Sequence, residues 1–262
     1  MDIGITEKCE KMISVKSKTE LEKMRKIGTV TANALHFGGR SIKDGMTTFE
    51  LDKIIHDYIV QHGAKAMLIG YGGFPASCCI SINDQLIHGI PSKKVRIKEG
   101  DVVSVDVSAE MDGFHGDTAY TFACGKISKE AEQLLKVTNE SLYKGIEQAV
   151  PGNRIGDIGH AVAEYCEGYG YSVCKKYIGH GIGRKLHEDP EVPNFGKAGH
   201  GPRLVAGMTI CIEPMINAVG EDVRVLKDGW TVVTKSGSLA AHFEHTVAIT
   251  PDGPVILTKP TI

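Results

Sequence analysis

Apolar residues recur along this chain in two periods, and the switch between them marks out the elements. Leu21, Met24, Ile27, Thr31, Ala34 and Leu35 fall on one face of a helix. Thr19-Glu20-Leu21-Glu22 reads as its capping box and Gly38-Gly39 as its end. Thr47-Thr48-Phe49-Glu50 reads as a second capping box; Leu51, Ile54, Ile55, Tyr58 and Ile59 follow, and Gly63 closes that helix. A Gly-rich loop, Gly70-Tyr71-Gly72-Gly73-Phe74-Pro75, leads to a short strand near Cys78–Ile82 and then to the loop His88-Gly89-Ile90-Pro91. The period then drops to two. Val102–Ala109 alternates Val with Ser as a strand does. Met111-Asp112-Gly113 carries an Asp-Gly turn signal, and a second strand runs through Asp117-Thr118-Ala119-Tyr120. Ser128 opens a third helix, with Leu134, Leu135, Leu142 and Ile146, and Pro151-Gly152 breaks it. Residues 1–17 read as an extended lead-in, and Tyr171–Tyr177 as a strand.

The second half echoes the first. Gly45 meets Gly152, Leu51 meets Ile158, Ile55 meets Val162, Tyr58 meets Tyr165 and Gly63 meets Gly170, all at an offset of 107. The same offset lays 98–106 over 205–213, so that Asp106 falls on Glu213. Asp117-Thr118 resembles Glu244-His245-Thr246 at a larger offset, which requires an insertion in the second hairpin. Two α+β halves about a pseudo-two-fold axis are expected, each giving two acids from neighbouring strands. Asp106, Asp117, Glu213 and Glu244 would then converge. Four like charges cannot gather in a dry site unpaired. No run of Lys or Arg is placed to balance them, and divalent metals are the natural answer. Bridging carboxylates can hold two ions ~3.5–4 Å apart.

His180 lies in Ile178-Gly179-His180-Gly181-Ile182-Gly183, where glycines allow close backbone approach. Imidazole among carboxylates suits Mn, Fe, Co or Zn better than Ca or Mg. His187 and His88 fit either solvated loop positions or catalytic groups on a rigid scaffold. Trp230, the single Trp, fits either core packing or a pocket wall.

Composition narrows the picture. The 262 residues are 42% hydrophobic and 24% charged, an ordinary globular balance. The net charge of −2 gives no reason to expect nucleic acid. No apolar run reaches the roughly 20 residues that span a bilayer. The N-terminus lacks the apolar segment of a secretory signal. Seven Cys with no C-x-x-C pair suit reduced thiols in a cytoplasmic protein.

Ten short motifs, in order from Lys16 to about Leu257, resemble type I methionine aminopeptidases. They include Gly-Tyr-Gly-Gly-Phe-Pro (70–75), His-Gly-Ile-Pro (88–91), Asp-Gly-Phe-His-Gly-Asp-Thr (112–118), Gly-His-Gly-Ile-Gly (179–183), Ile-Glu-Pro-Met-Ile-Asn (212–217) and Phe-Glu-His-Thr (243–246). The resemblance implies an α+β pita-bread fold, a single catalytic domain over 1–262 with halves at about 19–125 and 126–262. It implies two divalent ions (Co, Mn, Fe or Zn): Asp106 on one, His180 and Glu213 on the other, Asp117 and Glu244 bridging. Glu213 would take the proton of the attacking water, His187 would polarise the scissile carbonyl, and His88 would meet the amide nitrogen. Tyr71, Phe74, Cys79 and Trp230 would wall the methionine pocket. Leu68 stands where the family commonly has Cys and Leu186 where it has Phe, which points to a looser pocket. Glu213 and Glu244 lie only 31 apart, too close for the helical insertion of type II. The implied substrates are N-termini of nascent polypeptides with a small second residue, met by a monomer in the cytoplasm, with the ribosome exit as the implied meeting place. The rivals are an Xaa-Pro aminopeptidase or prolidase, which usually adds an N-terminal domain, and a site-less binding module, which loses the ligands.

Overall fold

The computed structural model describes residues 13–262. Cys9 and residues 1–12 of the expected lead-in lie outside the described residues, and 13–17 carry no regular element. Helix α1, Lys18–Arg40, starts two residues earlier than the expected box would place it. Ser17 caps it, accepting from the Glu20 N–H, while the Glu20 carboxylate accepts the Ser17 N–H at 2.9 Å. The overlapping Ser-x-x-Glu pattern wins because it adds two helical residues and leaves Glu20 able to pair with Arg184 at 3.0 Å. The helix also runs through Gly38 and Gly39, which serve packing rather than termination. Helix α2, Thr48–Gln61, has the expected Thr47/Glu50 box. Helix α3, Lys129–Glu147, is capped by Ser128, and α4 spans Ile155–Gly168.

The first half holds strands β1 (Lys65–Ala66), β2 (Cys79–Ile82), β3 (Gln85–Ile87), β4 (Val102–Met111) and β5 (Phe114–Ala123). The second holds β6 (Ser172–Val173), β7 (Gly179–Gly181), β8 (Glu188–Val192), β9 (Thr209–Ile212), β10 (Met215–Asn217), β11 (Val223–Val225), β12 (Val232–Thr234), β13 (Ala240–His242), β14 (His245–Thr250) and β15 (Gly253–Ile256). The expected strand Tyr171–Tyr177 shrinks to β6, and His180 sits on β7 itself. β4 pairs with β1, β2 and β5, and β14 with β9 and β15, all antiparallel.

The offset of 107 runs further than the sequence showed. It carries α2 onto α4 end for end, β1 onto β6, and the start of β4 onto the start of β9. It carries Thr31, whose hydroxyl donates to Ile27 O, onto Thr138, whose hydroxyl donates to Leu134 O, both at 2.8 Å. Both helix pairs close on a glycine: a Cβ on Gly38 would stand 2.4 Å from Ile55, and one on Gly145 2.8 Å from Val162, its counterpart. Each half keeps its own apolar core, around Leu51, Ile55 and Val105 in one and Leu142, Ile158 and Ile212 in the other.

The halves join where β5 meets β14. Ala119 and Glu244 exchange backbone bonds, Thr246 bonds Asp117, and Thr121 bonds His242. Register corrects one expectation here. Ala119 stands opposite Asp106, and the β9–β14 pairing puts Glu244 opposite Glu213, so Glu244 is the counterpart of Ala119. The counterpart of Asp117 is His242, at an offset of 125. The two halves therefore supply their second acid from positions two residues apart. The 18-residue excess is the insertion: past Glu110↔His115 the first hairpin closes in four residues, while past Asn217↔Ala240 the second takes 22. That insertion carries β11 and β12, and β12 reaches across to pair with β3 of the first half.

Candidate active site

All eleven residues singled out from the sequence line one cavity of about 220 Å³ at the join of the halves. The pleat explains how. Asp106 points inward from β4, and Asp117 from β5 opposite Ser108, whose hydroxyl donates to it at 2.8 Å. Glu213 lies in the break between β9 and β10, where Asn194 fixes its carbonyl at 2.8 Å. Glu244 lies in the matching break between β13 and β14.

His180 Nε2 faces Asp117 at 3.7 Å and Glu213 at 3.6 Å. It comes so close because its neighbours are glycines: a Cβ on Gly179 would stand 2.3 Å from Cys211 O, and one on Gly181 2.2 Å from Asp189 O. Its Nδ1 lies 2.8 Å from Gly181 O, so Nδ1 carries the proton and Nε2 is the free lone pair.

Electrostatics at the floor are unbalanced. Burial, then mutual repulsion, pushes Asp106, Glu213 and Glu244 well above ordinary carboxylates, and burial lifts Asp117 to about 7. Burial lowers His180 to about 3 and His88 to about 4, and repulsion from a protonated His187 would add to both. Among the described residues no Lys or Arg forms an ion pair with any of the four acids. Ligand atoms of Asp117, His180, Cys211 and Glu244 all lie within 4.8 Å of one another, and Glu244 Oε1 is buried without a partner. Carboxylates and one imidazole in this arrangement fit divalent ions of the Mn, Fe, Co, Zn group.

Above the floor the walls are apolar. Phe74 and Trp230 meet edge to face at 5.2 Å, with Cys79, Leu68 and Leu186 buried beside them. Trp230 is delivered by the insertion, in a turn where Asp228 accepts its N–H. His88 holds a left-handed backbone (φ 58°) that aims its ring between Trp230 and Tyr177. Tyr71 lines the cavity at its open end. It is 41% exposed, and its hydroxyl lies 2.5 Å from His187 Nδ1. His187 stands at the exposed rim, its ring 4.2 Å from that of His180. An outer groove with Arg184, Lys185 and Glu191 meets the cavity at Ile178, His180 and His187.

The sequence reading missed three groups. Cys211 and His242 lie two residues before Glu213 and Glu244, and the strand period of two could have found both. Tyr177 carries no such signal. Burial keeps the Cys211 thiol protonated, its pKa well above the usual value, with the Glu244 charge adding to this.

A profile of metallopeptidase family M24 matches residues 22–251, which makes the chain a metal-dependent hydrolase of the pita-bread fold. The methionine aminopeptidase of Clostridium acetobutylicum is 52% identical over 247 residues, covering 94% of this chain and 99% of that protein. That of Escherichia coli is 45% identical over 248 residues, 94% of each. The crystal structure of the Thermotoga maritima methionine aminopeptidase superposes with a TM-score of 0.93 at 43% identity, covering 95% of this chain and all of that one. Prolidase from Pyrococcus furiosus, 24% identical with a TM-score of 0.76, shares the fold alone. The chain belongs to the methionine aminopeptidases of family M24.

Proposed function

We propose that this protein removes the N-terminal methionine of newly made polypeptides by hydrolysing the first peptide bond with a pair of divalent ions. The observation that carries the reading is the adjacency of an apolar, one-side-chain cavity to a floor of four carboxylates, with an open groove beyond His187 for the rest of the substrate. Asp106, Asp117 and Glu244 would hold one ion, and Asp117, Glu244, His180 and Glu213 the other. Such a pair supplies Lewis acidity and a water of lowered pKa. The chain's own groups do the rest. Glu213 accepts the proton of the attacking water. His187, with Nδ1 engaged by Tyr71, presents its Nε2–H to the developing oxyanion. His88 contacts the scissile nitrogen and steers the proton it needs to leave.

The methionine side chain lies against Phe74, Cys79 and Trp230, where sulfur–aromatic contact adds to dispersion. A small second residue suits the crowded rim, where the Tyr71, His180 and His187 rings stand within 5.4 Å of a neighbour. The setting we infer is a monomer in the cytoplasm acting on nascent chains. Among the described residues no helix is long and apolar enough to cross a membrane.

The test is peptide cleavage by metal-stripped protein with and without Mn, Co or Fe. Met-Ala-Ser, Leu-Ala-Ser and Ala-Pro-Ala are the substrates. Metal-restored release of Met from the first is expected. Cleavage only before Pro would move the chain to the prolidase side of the fold, and no cleavage by folded protein with any metal would overturn the reading.

A further inference from the structure

His242 is a buried imidazole to which no role falls in the reaction above. Its side chain is 3% exposed, and Nε2 has no hydrogen-bond partner. That atom lies 3.6 Å from Glu213 Oε2, while His180 Nε2 lies 3.6 Å from Glu213 Oε1. The Glu213 carboxylate is thus bracketed by two imidazoles, one at each oxygen. The cross-strand neighbour of His242 is Met215, which offers only a thioether. In the first half the counterpart pair is Asp117 and Ser108, joined by a hydrogen bond. The second half has replaced the acid by a group able to donate and has removed the partner across the strand. A buried donor left without an acceptor forfeits the hydrogen bond it made to water in the unfolded chain, so this one has reason to find an acceptor.

We propose that His242 is a positioning residue for Glu213: its Nε2–H donates to Oε2 and leaves Oε1, on the His180 side, as the oxygen presented to metal. Two further contacts restrict both partners. The His242 N–H donates to Thr121 Oγ1 at 3.0 Å, and Asn194 Nδ2 donates to the Glu213 carbonyl at 2.8 Å. With both backbones pinned, only small side-chain rotations separate the present 3.6 Å from a hydrogen bond. Partners of this kind orient metal-binding side chains and fix which atom is offered.

The inference rests on the metal site proposed above. The test measures the dissociation constant for Mn²⁺ by calorimetry on metal-stripped parent, His242→Gln, His242→Asn and His242→Leu, with the visible spectrum of the Co²⁺-loaded forms. The Gln amide reaches Glu213 as a donor, Asn is one carbon short, and Leu donates nothing. Expected are parent-like affinity and spectrum for Gln, and affinity weakened about 10- to 100-fold for Asn and Leu. Should Leu not fold, the Gln and Asn pair decides alone. Parent-like affinity in folded Asn or Leu, or a Gln variant as weak as Asn, overturns the proposal. A parent that binds no metal overturns the metal site and this role together, which separates the two failures.

Discussion

The Tyr71 hydroxyl shows how one polar contact can set the chemistry of a neighbour. Partial burial, then the Asp117 charge, raises its pKa above that of an ordinary phenol, so it keeps its proton and donates it to His187 Nδ1. His187 is left with its N–H on Nε2, and partial burial lowers its pKa, so the ring is neutral near pH 7. Tyr71→Phe removes that constraint and frees the imidazole to change tautomer. The expected result is a kcat about tenfold lower with KM little changed; His187→Ala, which deletes the donor itself, should cost about 10²–10³. Steady-state kinetics on Met-Ala-Ser separate the two, and equal losses in kcat from both variants would remove Tyr71 from this role. Leu186, 3% exposed on the cavity wall, sets a different property. Leu186→Phe should narrow the pocket and raise the preference for Met-Ala-Ser over Leu-Ala-Ser by about tenfold, the scale set by a methylene or two in an apolar pocket. An unchanged preference would place selectivity elsewhere in the wall.

At the scale of elements, the glycine contacts at the helix crossings carry the repeat. Gly145→Ala puts a Cβ 2.8 Å from Val162 and 3.3 Å from Ile158 and Ile212, three core side chains. Overpacking of that kind costs about 1–3 kcal/mol. The urea midpoint should fall, and Gly145→Ala with Val162→Ala together should recover part of the loss. No recovery would mean the strain lies in the backbone and not at this contact. These same glycines explain what the sequence disclosed and what it hid. Gly45/Gly152 and Gly63/Gly170 mark element ends, so the 107-residue repeat was legible wherever the chain has no insertion. Asp117 matches Glu244 in sequence because acidic residues look alike, and only strand pairing shows that Glu244 answers to Ala119. The capping box is ambiguous for a similar reason, since Ser17-x-x-Glu20 and Thr19-x-x-Glu22 are equally good locally and a contact with Arg184 is not visible in sequence. The four acids stand out in the sequence because buried carboxylates demand an explanation, and His180 because glycines flank it; His242 has neither signal.

For the whole molecule, the join of the halves trades stability for a site, and pH exposes the trade. Asp117 has a folded pKa of about 7 against an ordinary 3.8, and Asp106, Glu213 and Glu244 are raised well above their ordinary values. A carboxyl group with a raised folded pKa stabilises the fold while protonated and loses that contribution as pH climbs from about 4 through its folded value. The buried histidines act in the opposite sense. His180 and His242, near 3, and His88 and His245, near 4, have folded values below the ordinary 6.5. They resist protonation in the fold, so stability rises from about pH 4 to 6.5 and is then level. The two trends offset each other below pH 6.5, and only the carboxylates remain above it. Metal-stripped protein should therefore melt at progressively lower temperature from pH 6.5 to 8.5. Divalent metal should reverse this, because it binds the ionised carboxylates and competes with protons for them. At a free concentration of 100 Kd, binding adds about 2.7 kcal/mol, or roughly 5–10 °C in a domain of this size. At one fixed Mn²⁺ concentration the increment should be larger at pH 8 than at pH 6.5. Scanning calorimetry of stripped and Mn²⁺-loaded protein over that range measures both trends. A stripped protein whose melting temperature rises with pH above 6.5 would mean that the four acids are neutralised by the chain itself, and that the join of the halves needs no ion to hold its charge.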